Sequence, residues 1–162
     1  MTRAYYRTWS SHVPPREPVD EVDYAASERW DALYLASFDG ARLRRFEKIY
    51  FERRPLRTVA LATPRPEGAL LYVRPHASGE VTYSEALEIP YAATESLSRF
   101  GRATVSADGA HADLYLVTRT TPFVEEYAYR PDGTLSDATV TWAEGDVERY
   151  RYDAQGRLLA RD

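Results

Sequence analysis

The chain has no cysteine, one methionine and three histidines in 162 residues. Without cysteine it cannot form disulfides, thiolate metal sites or a cysteine nucleophile. His12, His76 and His111 lie far apart in sequence, and none shows a ligand spacing such as His-x-x-x-His. Neither a metal nor a cofactor is expected. The eight glycines are scattered among turns, so no glycine-rich phosphate loop is present. No apolar run approaches the roughly 20 residues that a membrane-spanning helix requires. The opening Met1-Thr2-Arg3-Ala4-Tyr5-Tyr6 turns polar and aromatic at once, unlike a secretion signal. These absences lead to the expectation of a soluble, cytoplasmic protein with no membrane partner. A net charge of −4 disfavours nucleic acid, whose binding draws on phosphate neutralisation.

What is present reads as one globular domain over residues 1–162, since 44% hydrophobic and 28% charged residues suffice for a core without staples. The charge is uneven. Arg42, Arg44, Arg45, Lys48, Arg53, Arg54 and Arg57 face only Glu47 and Glu52 in the same stretch. Such a run suits a solvated strand face, where charge discourages edge-to-edge aggregation; the alternative is an anionic ligand or an acidic partner.

Turn signals recur at Asp39-Gly40, Ser78-Gly79, Asp108-Gly109, Asp132-Gly133, Gly145 and Gly156, most of them flanked by runs rich in Val, Leu, Thr, Tyr and Phe. The pattern predicts a mainly β, curled antiparallel meander closing as a barrel or a sandwich, because a dozen strands rarely remain one open sheet. Strands are predicted near 3–9, 32–38, 42–53, 56–63, 69–74, 80–84, 102–107, 112–119, 123–130, 137–143, 146–152 and 157–161. One or two short helices interrupt them. Val19, Val22, Ala26 and Trp30 recur at helical spacing after Pro18, and Ile89, Ala93, Leu97 and Phe100 share a helical face ahead of Gly101. Residues 11–18 read as an extended, proline-rich connection and 64–68 as a loop.

Tyr-x-Tyr-x-x-x-Gly-x-Leu occurs twice, as Tyr127, Tyr129, Gly133, Leu135 and as Tyr150, Tyr152, Gly156, Leu158. Alternating tyrosines suit a strand with one packed face, and the glycine supplies the positive φ of a tight reversal. The second copy, Tyr152-Asp153-Ala154-Gln155-Gly156-Arg157-Leu158, resembles the YD or Rhs-type repeat, in which tandem hairpins build large sheets and shells around secreted toxins. With two copies here, the resemblance implies hairpin geometry and does not carry a shell function. Tyr5-Tyr6-Arg7-Thr8-Trp9-Ser10, with Phe38-Asp39-Gly40-Ala41-Arg42-Leu43 and Phe46-Glu47-Lys48, resembles an uncharacterised family of small bacterial proteins with YYRTYSG-type starts and turn-rich sheets. That resemblance implies a stand-alone protein and brings no activity with it.

Candidate chemistry follows from alternation. On strand 42–53, Arg45 and Glu47 share a face with Leu43, Ile49 and Phe51; if that face is interior, the pair is either a structural ion pair or an acid/base with an anion-holding arginine. If Phe46 and Tyr50 point inward instead, the charges are solvated. On strand 123–130, one of Glu125 and Glu126 must share a face with aromatic residues. Glu47, Glu126 and Arg45 are the candidate catalytic set. Tyr6, Trp9, Tyr34, Tyr127 and Trp142 are the candidate ligand-binding set, with Tyr5 and Trp30 as further members of an aromatic pocket that core packing would explain equally well. Ser10-Ser11-His12 is no nucleophile and base pair, because neighbours on an extended chain point to opposite faces.

The functional expectation is a small β-domain holding a small molecule or a partner in an aromatic, arginine-containing concavity. Two alternatives stand beside it: a cofactor-independent enzyme (cyclase, isomerase or hydrolase) using a carboxylate, and a protein-interaction or immunity protein. Oligomeric state is not readable from the sequence.

Overall fold

The computed structural model describes residues 1–10, 13–23, 31–75, 83–87 and 97–162. Eleven strands occupy them: β1 (Thr2–Trp9), β2 (Pro18–Val22), β3 (Ala32–Asp39), β4 (Arg42–Ala60), β5 (Leu70–Pro75), β6 (Tyr83–Leu87), β7 (Arg99–Val105), β8 (His111–Tyr129), β9 (Leu135–Trp142), β10 (Val147–Tyr152) and β11 (Leu158–Arg161). Strand registers are antiparallel. The chain divides into two compact units, one of Met1–Tyr50 with Thr121–Asp162 and one of Phe51–Thr120. Both divisions fall inside long strands, β4 and β8.

In the first unit the hydrogen-bonded order is β11-β10-β9-β8-β4-β3-β1-β2. Of the expected barrel or sandwich, the barrel does not close: the order ends at β11 on one side and β2 on the other, with no pairing between them among the described residues. Each terminal strand is suited to remain an edge. β11 has four residues and carries Arg161, while β2 has five, carries Asp20 and Glu21, and holds Asp20 at a φ of 59°. Short, charged and kinked strands resist further pairing.

The core of this unit follows the two-residue period of strands. Tyr34 and Ala36 of β3, Phe123 and Tyr127 of β8, Ala138 and Val140 of β9, and Tyr150 and Tyr152 of β10 form one buried cluster with Phe46. Strand β3 is buried on both faces, since Leu33 and Leu35, which alternate with those residues, are also buried. The two copies of the tyrosine repeat have the same turn. Arg130 N–H donates to Thr134 O and Gly133 N–H to Arg130 O, both at 2.9 Å, and Asp153, Arg157 and Gly156 repeat the pattern at 2.9 and 3.0 Å. Gly133 and Gly156 have φ of 91° and 76°, a region open to glycine at no steric cost. Arg130 ties the hairpins together, its guanidinium donating to Leu135 O, Asp153 O and Tyr152 O at 2.5–2.9 Å.

In the second unit, β5 pairs with β6 and β7, and β7 pairs with β8. Leu71, Val73, Ala103, Val105, Ala112 and Leu114 make its core. The loop 61–69 lies against the turn after β7, with Arg65 N–H donating to Gly109 O at 2.9 Å and Gly68 N–H to Val105 O at 2.9 Å.

Three sequence expectations are corrected. No helix occurs among the described residues. The segment beginning at Pro18 is β2, paired with β1 through Tyr5 to Val22 and Thr8 to Val19. Over the five residues of β2 helix nucleation is not repaid, and the neighbouring strand β1 satisfies the backbone instead. Residues 24–30 of that predicted helix lie outside the described residues. So do residues 88–96 of the second, while Phe100 and Gly101 at its end lie within β7, opposite Val117 and Leu116. Finally, breaks predicted near Pro55 and Pro122 are absent, and β4 and β8 each run 19 residues. The register of β4 with β3 ends at Tyr50, and β8 exchanges β7 for β9 between Thr118 and Phe123. A residue lacking an N–H is tolerated where a ladder is interrupted.

Candidate functional site

The most unusual group in the first unit is a fully buried carboxylate. Alternation along β8 places Glu125 on the same face as Phe123 and Tyr127, and its side chain has no exposed surface. An ionised carboxylate there needs a partner of opposite charge and hydrogen bonds for both oxygens. Both are supplied. Arg16 Nε lies 2.5 Å from Glu125 Oε1, and the Tyr127 hydroxyl donates to Oε2 at 2.5 Å. Arg16 comes from the segment between β1 and β2; its backbone N–H donates to the Tyr127 hydroxyl at 3.3 Å, and the Tyr152 hydroxyl donates to Pro14 O. The guanidinium lies over Trp9 and Phe123, 5.2 and 5.4 Å from their centroids. Burial, reinforced by the Glu125 charge, holds the Tyr127 phenol far above its ordinary pKa, and burial pushes Tyr152 up to about 12. Both phenols are therefore fixed as donors at neutral pH.

Beside this buried pair opens a cleft of about 440 Å³. Its aromatic walls are Trp9, Tyr50, Phe123, Trp142 and Tyr150, and its cations are Arg16, Lys48 and Arg161. Trp142 packs edge-on against Phe123 at 5.2 Å; Trp9 meets Tyr34 at 4.3 Å, and Tyr34 stacks on Phe46 at 5.4 Å. Thus the cleft wall is backed by core aromatics. The Lys48 ammonium lies 4.6 Å from the Tyr50 centroid and 5.8 Å from those of Trp9 and Tyr34. The one lining carboxylate among the described residues, Glu148, accepts from the Tyr150 hydroxyl at 2.6 Å and pairs with Arg161 at 3.0 Å. The Tyr150 hydrogen bond holds Glu148 below the usual carboxylate range, partly offset by burial.

Of the expected ligand-binding residues, Trp9 and Trp142 line this cleft. Tyr34 lies buried behind it, Tyr127 holds Glu125, and Tyr6 packs against the same core cluster, its pKa raised by burial and then by Glu21. Tyr5 is buried between β2 and β3, opposite Val22 and Leu35. Trp30 lies outside the described residues. The expected catalytic residues come together, but elsewhere: Arg45 bonds Glu47 at 3.1 Å and Glu126 at 3.0 Å, with the Glu126 side chain 62% exposed. None of the three lines the cleft. Hydrogen bonding to Glu47 keeps the Arg45 guanidinium above its ordinary pKa despite partial burial.

The candidate sets read from the sequence took Glu126 in place of Glu125, left Lys48 in a charged run, and did not include Arg16, Tyr50, Tyr150, Glu148 or Arg161. Alternation along β8 held the signal for Glu125, which shares a face with two aromatic residues. The pairing of Arg161 with Glu148 depends on the register of β10 with β11, and Arg16 lies on an irregular segment with no period to read.

A second cavity, of about 420 Å³, belongs to the second unit and is bordered by Arg53, Leu56, Arg57 and Tyr115, with Thr58 donating to Asp113 at 2.6 Å. Among the described residues no three His, Asp or Glu side chains are grouped to hold a metal ion, and no helix is long and apolar enough to cross a membrane. No family model, curated protein or solved structure matches the chain.

Proposed function

We propose that the first unit is a receptor for a small organic molecule with a flat apolar body, and that it binds without catalysing a reaction. The observation that carries this reading is the cleft of about 440 Å³ with five aromatic residues in its walls. That size and lining suit a small-molecule site. Acid/base catalysis by a carboxylate needs a group free to exchange a proton, and the two carboxylates at the cleft are held by partners: Glu125 by Arg16 and Tyr127, Glu148 by Arg161 and Tyr150. Hence binding is favoured over turnover.

Two of the three tryptophans of the chain, Trp9 and Trp142, line the cleft, so occupancy should change the intrinsic fluorescence. Native mass spectrometry of protein recovered gently from its host should retain a small-molecule mass. Trp142→Ala should lose that mass while keeping the circular dichroism spectrum, at a cost of about tenfold or more in affinity. Absence of any bound small molecule, with no fluorescence response across a panel of aromatic compounds, would overturn the reading.

A further inference from the structure

We propose that the ligand of this cleft is a planar ring bearing a single negative charge, a ring carboxylate, with its acid group seated on the Lys48 ammonium. The proposal rests on reading the cleft as a ligand site and adds the charge and the contact that select the ligand.

Three cations border the cleft, but two are neutralised in place, Arg16 by Glu125 and Arg161 by Glu148. Among the described residues no carboxylate pairs with Lys48; its neighbours are the rings of Tyr50, Tyr34 and Trp9. Ring faces attract a cation without cancelling its charge, so one positive charge remains above an aromatic wall. The cleft therefore carries one positive charge not offset by a carboxylate among its lining residues, which favours an anionic ligand over a neutral or cationic one. Lys48 and the wall are complementary to the two halves of a ring carboxylate. Burial alone would draw the Lys48 pKa down, but the phenol groups of Tyr50 and Tyr34 outweigh it and leave the ammonium above its ordinary value. The cation therefore persists across the neutral range.

The same count decides against two other ligand classes. A dianion such as a phosphate monoester would need a second uncommitted cation. A cationic ligand would meet an aromatic cage already filled by the chain's own ammonium, and like charges at short range repel.

Calorimetric titration of the full-length protein with four probes sharing one ring tests this: 2-naphthoate, 2-naphthamide, 2-naphthyl phosphate and 2-naphthylmethylammonium. The expected result is 2-naphthoate about tenfold tighter than the amide, with the phosphate no tighter than the carboxylate and the ammonium weakest. Lys48→Gln should bring the carboxylate down to the level of the amide without moving the amide itself. Equal affinity for amide and carboxylate, or tightest binding of the ammonium or the phosphate, overturns the proposal while leaving the cleft as a ligand site. Failure of all four probes to bind overturns both. Should Lys48→Gln not fold, the salt dependence of the wild-type protein replaces it: added sodium chloride should weaken the carboxylate and spare the amide, and an equal response overturns the assignment.

Discussion

Residues of the same type have opposite roles in this protein according to their surroundings, and Glu125 and Glu47 are the clearest pair. Each bonds an arginine, at 2.5 and 3.1 Å respectively, yet the Arg16 and Glu125 side chains are 9% and 0% exposed whereas those of Arg45 and Glu47 are 41% and 18% exposed. Desolvation raises the stakes of a buried pair, because removing one partner strands the other charge. Glu125→Gln should destabilise the protein by roughly 3–5 kcal/mol, and Glu47→Gln by about 1 kcal/mol or less. Urea denaturation of both variants checks this, and equal losses would show that Arg16 finds a substitute partner. The difference follows from depth, since sequence spacing treats both as a charge beside an aromatic strand. Alternation along β8 narrowed the buried acid to one of two neighbours; only the packed face decides that it is Glu125.

Among the elements, the turns were the most legible. The repeated Tyr-x-Tyr-x-x-x-Gly-x-Leu did end in matching reversals, because the left-handed glycine and the flanking strands are local requirements that a few residues meet alone. The contacts of each turn were not legible. A Cβ at Gly156 would meet nothing within 4 Å, whereas one at Gly109 would come 2.7 Å from the backbone oxygen of Arg65. Both glycines have positive φ, 76° and 68°, so alanine pays the conformational penalty of about 1–2 kcal/mol at either. Gly109→Ala should lose clearly more, because a backbone oxygen fixed by the adjacent loop cannot swing aside. Thermal unfolding of the two variants gives the comparison, and similar melting temperatures would mean that the 61–69 loop yields. The helix predicted after Pro18 is the converse case: apolar spacing fitted a helix, but over residues 18–22 pairing with β1 prevailed.

For the whole molecule, the ionisable groups set a common response to acid. Hydrogen bonds from turn backbone and side chains hold Asp108, Asp132 and Asp153 below the ordinary carboxylate range, and the Tyr150 hydroxyl does so for Glu148. A carboxylate whose folded pKa is depressed adds stability that is complete above its unfolded pKa of about 4 and is lost as pH falls toward the folded value. The melting temperature should therefore hold from pH 6 to about 4.5 and drop below it. Asp132→Asn and Asp153→Asn together should flatten the drop, and an unchanged acid limb would assign it to other groups. The class of structure was legible in local pattern: period-two patterning, β-rich composition and glycine-marked reversals are properties of neighbouring residues, and antiparallel strands with tight hairpins followed. Tertiary structure decided the open strand order of the first unit, the identity of the buried acid, and the gathering of Trp9, Lys48, Trp142 and Arg161 around one cleft. Those outcomes depend on register between strands far apart in the chain, where a one-residue slip turns every side chain to the other face.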